Sequence, residues 1–178
     1  MHNYKKLGIH LLQHGRKVQD RTGVGTRRIF DYTMEWDLQE SFPAVTLKSL
    51  AWKAVVGELL WFLEGSTNVE RLREITHGKG STKRTIWDDN YENQAKSMGY
   101  QNGQLGPVYG AQWRDFNGQG IDQIVDLISG IKNDPYGRRH IVMAWNPAEL
   151  NYMALPPCHY GFQCFVEDGK LSLKWMQR

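Results

Sequence analysis

The sequence predicts an α+β domain, a mixed or antiparallel β-sheet with helices packed on it. Three observations lead there. Helical and strand-like segments are interspersed along the chain. The last clear pair of strands is a hairpin, turning at Asp168-Gly169. Two long segments carry apolar residues at helical spacing, which sheet-only folds do not need.

The elements follow in order. Tyr4, Leu7, Leu11 and Leu12 repeat at helical spacing and predict an opening helix. Residues 21–38, "RTGVGTRRIFDYTMEWDL", read as a glycine turn followed by one or two strands. Residues 49–65, "SLAWKAVVGELLWFLEG", read as the clearest helix. Ser49 can cap its start and Gly65 its end, and Leu50, Ala51, Ala54, Val55, Leu59 and Phe62 form a broad apolar stripe. Residues 120–137 predict a second amphipathic helix that stops at Asp134-Pro135. Residues 138–146, "RRHIVMAWN", read as a strand, and residues 158–178 as the terminal hairpin.

Bulk properties narrow the class of protein. A chain of 178 residues suits one domain, spanning 1–178, with no repeat or linker to divide it. It buries roughly 70% of its unfolded surface and needs no disulfide or metal to fold. Net charge is +3, which fits a site for small anions better than a nucleic-acid surface. Cys158 and Cys164 lie too far apart along a regular strand to bridge, which points to reduced thiols and a cytoplasmic setting. No signal peptide and no membrane-spanning run is visible.

Some familiar motifs fail. "HGKGSTKR" at 77–84 lacks the Ser or Thr that must follow the lysine of a phosphate loop, and reads as a solvated loop. "HLLQH" at 10–14 lacks the glutamate of a zinc protease helix. "PCHYG" at 157–161 lacks the second cysteine of a zinc deaminase. No G-x-G-x-x-G opens a helix. Neither a metal nor a dinucleotide is expected.

Five features could carry chemistry. Glu58 lies four residues from both Ala54 and Phe62, along the apolar face of its helix. Buried there, its pKa rises and it suits proton transfer; at the edge of the stripe, its head simply reaches water. Cys158 follows Pro156-Pro157 and is either a core thiol or a nucleophile held on target, while Cys164 reads as core. With a two-residue turn at 168–169, Arg178 stands opposite His159, and a bulge near Gly161 brings it to Cys158. A guanidinium beside a thiol favours thiolate, and it can also bind phosphate. Arg138 and Arg139 open a strand, so at least one faces a core, an anion or another subunit, and Arg21 sits in a glycine-flexed loop suited to phosphate.

The segments "DRTGVGT", "FPAVTLKSLAWKAVVGELLWFLEGSTN", "TIWDDNY", "LGPVYGAQWR", "DPYGRRHIVMAWNP", "LPPCHYGFQCFV" and "LSLKWMQR" occur in that order, and together the chain resembles thymidylate synthase from end to end. The resemblance implies that Cys158 adds to C6 of dUMP and that a one-carbon unit and a hydride come from 5,10-methylenetetrahydrofolate, giving dTMP and dihydrofolate. It implies proton transfer by Glu58, support for proton removal from C5 by Tyr109, and a pyrimidine and folate wall at Trp87. It places Lys48 near the folate tail. It assigns the dUMP phosphate to Arg21 and Arg178, and to Arg138 and Arg139 reaching across a homodimer. The family pattern continues beyond "QR", so the resemblance implies an incomplete synthase, a split or interrupted gene product or a truncated reading frame, completed by its missing part or by a separate C-terminal chain. Fewer phrases are shared with dCMP hydroxymethylase, which stays as the alternative, beside an inactive or split fragment.

Overall fold

The computed structural model describes residues 2–20 and 23–178, and the chain divides into two compact units, Met1–Ala51 and Trp52–Arg178. In the first, helix α1 (His2–His14) is the expected opening helix. It is closed at Gly15, whose N–H bonds the Leu11 carbonyl at 2.9 Å. Two short strands, β1 (Arg16–Val18) and β2 (Thr26–Arg28), pair antiparallel, with Arg16 opposite Arg28 and Lys17 opposite Arg27. The Arg27 guanidinium also reaches the Gly15 carbonyl at 3.2 Å. The strand expected over 21–38 is confined to 26–28, and residues 29–51 form no helix or strand. Alternation there has no neighbouring strand to pair with, and alternation alone does not make a ladder.

In the second unit, helix α2 (Trp52–Leu63) packs on α3 (Val69–His77) and on α5 (Tyr109–Arg114). Asn68 caps α3, accepting from the amides of Glu70 and Arg71 at 2.8 and 3.2 Å. A Cβ on Gly57 would lie 2.5 Å from the Thr76 hydroxyl, so α2 and α3 approach closely at that glycine. The buried side of α2 carries Gly57, Trp61 and Phe62. Four members of the expected stripe, Leu50, Ala51, Val55 and Leu59, are exposed instead. The helix is apolar on nearly every side, so spacing alone does not select the face.

A short helix α4 (Asp88–Asn90) leads through a π turn (Tyr91–Ala95) and a 3₁₀ turn (Lys96–Met98). Asp88 anchors this region, pairing with Arg73 of α3 at 2.5 Å and accepting from the Thr85 amide and hydroxyl. Helix α6 (Gln123–Asn133) follows, capped by Asp122 and ended by Asp134, where the sequence stops it.

The sheet has three strands in the order β3 (Ile141–Met143), β4 (His159–Glu167), β5 (Lys170–Gln177). Both pairings are antiparallel, so the α+β class holds with no parallel pairing among the described residues. Strand β3 is shorter than expected. The Ile141 amide folds back to the Arg139 carbonyl at 2.9 Å, which keeps Arg138 and Arg139 out of the ladder. The β4–β5 turn is Asp168-Gly169, with φ of 49° and 70°, the left-handed pair a tight hairpin requires.

One face of the sheet carries Val142, Phe162 and Cys164, all buried in a core with Trp61, Phe62, Leu105, Val108 and Trp113. The register puts Leu171, Leu173 and Trp175 of β5 on that same face, opposite Val166, Cys164 and Phe162. These three are exposed, so the core-side row of the edge strand is bare.

Candidate active site

The site is built around the turn that carries Cys158. Pro156 and Pro157 restrict the backbone before it, and Pro157 is fully buried. The Cys158 side chain is exposed, whereas Cys164 is buried in the core, where burial pushes its thiol pKa up. An exposed thiol on a fixed turn can act as a nucleophile; a buried neutral one cannot.

Two residues hold that turn. Tyr109, on the first turn of α5, accepts the Cys158 N–H at its hydroxyl oxygen at 2.8 Å. Arg178 closes the other side. Its amide donates to the Cys158 carbonyl at 2.9 Å, its Nε to the Pro157 carbonyl at 2.9 Å, and its Nη2 to the Pro156 carbonyl at 3.3 Å. The expected register holds from Glu167–Lys170 through Gly161–Met176 and then shifts between His159 and Gly161. Arg178 therefore faces Cys158 and not His159: the bulge moves the pairing by one residue.

Behind the thiol lies an aromatic wall. The Tyr109 ring stacks on His159 at 4.2 Å and meets Phe62 at 4.6 Å and Trp87 at 6.0 Å. Trp87 is buried, and its indole Nε1 donates to Glu58 Oε1 at 2.6 Å. Glu58 on α2 is thereby brought into the Tyr109–Cys158 neighbourhood. Burial raises its pKa above the ordinary carboxylate value, and the hydrogen bond from Trp87 opposes that rise. The Tyr109 hydroxyl is pushed up to about 12, chiefly by burial, with the Cys158 amide pulling the other way. His159 is held below its ordinary value by burial, so its imidazole is neutral near pH 7. A fixed thiol, a poised carboxyl and a protonated phenol suit covalent addition coupled to proton transfer.

Glu58, Trp87, Tyr109, Cys158 and Arg178 thus come together. Arg138 and Arg139 do not join them. Both are exposed in the loop before β3, and neither pairs with a carboxylate among the described residues. They line a separate hollow of about 670 Å³ with Asp126, Asp134, Tyr136 and His140. Lys48 belongs to the first unit, where it is exposed. Arg21 lies outside the described residues. No group of three His, Cys, Asp or Glu side chains able to hold a metal occurs among the described residues, and no helix there is long and apolar enough to cross a membrane.

His159 is the site residue for which sequence alone suggests no role. Its signal is position: it directly follows the cysteine, and the bulge turns its ring onto Tyr109. The loop at 77–84 is largely exposed, as expected of a solvated segment.

Known proteins resemble this chain along its whole length. The thymidylate synthase family model matches residues 2–178. A probable thymidylate synthase of Escherichia phage T5 is 60% identical over 179 residues, covering all of this chain and 63% of its own length. The thymidylate synthase of Enterobacteria phage T4 is 54% identical over 178 residues, with 62% of its length covered. The crystal structure of thymidylate synthase from T4 phage superposes with a TM-score of 0.94 over 100% of this chain and 62% of that one. The chain thus spans less than two thirds of the length of these relatives.

Proposed function

This chain belongs to the thymidylate synthase family, and on that premise we propose that it carries the nucleophile-bearing part of an enzyme converting dUMP to dTMP. The observation that carries the proposal is the exposed Cys158 thiol, on a turn pinned by Tyr109 and Arg178, with the half-buried carboxyl of Glu58 near Tyr109.

The Cys158 thiolate adds to C6 of the pyrimidine, forming a C–S bond and leaving electron density at C5. Arg178 keeps the thiol-bearing turn in place and offers its remaining N–H groups to the dUMP phosphate. Glu58, whose pKa burial raises above the ordinary carboxylate value, passes protons through water at the pyrimidine edge. Tyr109, protonated across the working range, supports removal of the C5 proton. Expulsion of the Cys158 sulfur restores the ring double bond. 5,10-Methylenetetrahydrofolate, the cosubstrate, supplies the one-carbon unit and the hydride. The stacked Tyr109 and His159 rings back the Cys158 turn, and the proposed chemistry calls for no metal.

Arg21 is assigned to the phosphate and Lys48 to the folate tail. Trp87 backs the pocket while orienting Glu58. Arg138 and Arg139 are proposed to reach the phosphate of a second copy in a homodimer; their exposure and their lack of carboxylate partners among the described residues support this. A further C-terminal chain is proposed as the partner that covers Leu171, Leu173 and Trp175, the bare core-side row of β5.

The test is release of tritium from C5-labelled dUMP in the presence of the folate, with the chain alone and with a C-terminal chain from a relative. Release is expected to vanish in Cys158→Ala and to survive in Cys164→Ala. The opposite pattern would refute the assignment of the nucleophile.

A further inference from the structure

Trp145 stands just beyond β3, next to the bulge. Its amide and that of Ala144 both donate to the Tyr160 carbonyl, at 3.2 and 2.8 Å, so its backbone grips the bulged residue. The following side chain, Asn146, is buried and donates to Gln112, Asn117 and Glu149 at 3.2, 3.2 and 3.0 Å. That network fixes the backbone from which Trp145 projects. The indole itself packs against the Arg178 guanidinium, 5.5 Å from ring centroid to Cζ.

No carboxylate pairs with Arg178 among the described residues. Nε and Nη2 are used by the Pro157 and Pro156 carbonyls. A carboxylate in the place of Trp145 would neutralise the guanidinium and occupy its N–H groups. An aromatic face attracts the same cation without doing either. It leaves the charge beside the Cys158 turn, and no hydrogen bond among the described residues occupies Nη1.

We propose that Trp145 is a positioning residue, seating the Arg178 guanidinium against the Pro156–Pro157–Cys158 turn so that its charge stays available at the thiol. The inference rests on the reading of Cys158 as the nucleophile with Arg178 beside it.

The experiment is a double-mutant cycle read by the rate at which iodoacetamide alkylates Cys158 at pH 7, followed by mass spectrometry of the full chain. Cys164 is the internal control, since it becomes labelled only where the core opens. Trp145→Leu is expected to slow Cys158 alkylation about two- to fivefold, and Trp145→Phe to recover most of the rate. On an Arg178→Met background, Trp145→Leu is expected to add nothing, because the guanidinium it seats is gone. An equal slowing on both backgrounds overturns the inference, since a merely structural residue acts irrespective of Arg178. So does a native rate in Trp145→Leu when Arg178→Met is slow. A native rate in Arg178→Met overturns the inference together with the pairing of guanidinium and thiol beneath it, and tritium release then decides separately whether Cys158 is the nucleophile.

Discussion

Glu58 illustrates how a single residue is tuned by opposed forces. Burial holds its pKa up and the Trp87 indole pulls it down. The sign of its effect on stability follows. A carboxyl whose pKa is higher folded than unfolded binds its proton more tightly in the native state. Native stability is then unaffected below about pH 4.5, where both states are protonated, and falls as pH rises from there through the folded value. Glu58→Gln removes the buried charge while keeping an oxygen for the Trp87 N–H. It is expected to raise stability by about 1 kcal/mol at pH 7 and to change it little at pH 4, while abolishing tritium release. Urea unfolding at the two pH values checks this; equal effects at both would mean that the charge is not the cause. This residue was legible in the sequence, because a carboxylate at helical spacing among apolar residues is conspicuous. Trp145 was not, since its partner lies more than thirty positions away and only the bulge brings them together.

Among the elements, the hairpin was the most legible and α2 the most deceptive. The Asp168-Gly169 turn set the β4–β5 register down to Gly161, and the glycine there marked where the bulge would fall. Helix α2 was found with nearly the right limits, but its buried face was not. An all-apolar helix offers no unique stripe, and the decision was left to Gly57, where only a bare Cα fits against Thr76. Helices α3 and α5 went unread, although Asn68 before "VERL" is a usable cap signal. The hairpin makes its own prediction. Gly169 holds φ of 70°, which a β-branched residue adopts only with strain. Gly169→Val is expected to destabilise the second unit by about 1–2 kcal/mol, seen as a lower urea midpoint. A midpoint equal to that of the native chain would show that the turn tolerates a Cβ, contrary to its geometry.

At the scale of the molecule, composition located the class but not the gaps in its surface. An exposed row of Leu171, Leu173 and Trp175 on an edge strand, with Phe165 and Ile141 exposed on the other face, is more apolar sheet than a solitary chain ordinarily leaves in water. Sedimentation velocity over a concentration series is expected to show association that grows with concentration; one monomeric species throughout would remove the proposed homodimer. The hollow of Arg138 and Arg139 was unreadable for a related reason, because a residue proposed to serve a neighbour shows no partner within its own chain. The charge, mild as a whole, is also unevenly spread: residues 1–28 hold seven of the 22 Lys and Arg and one of the 19 Asp and Glu. The ribbon of β1 and β2 places four of those cations in facing pairs, Arg16 with Arg28 and Lys17 with Arg27. Like charges set opposite one another push the strands apart, and dissolved ions shorten the reach of that push from about 10 Å at 0.1 M salt to about 3 Å at 1 M. The ribbon is thus a spring whose tension the buffer sets, slack in brine and taut in dilute solution.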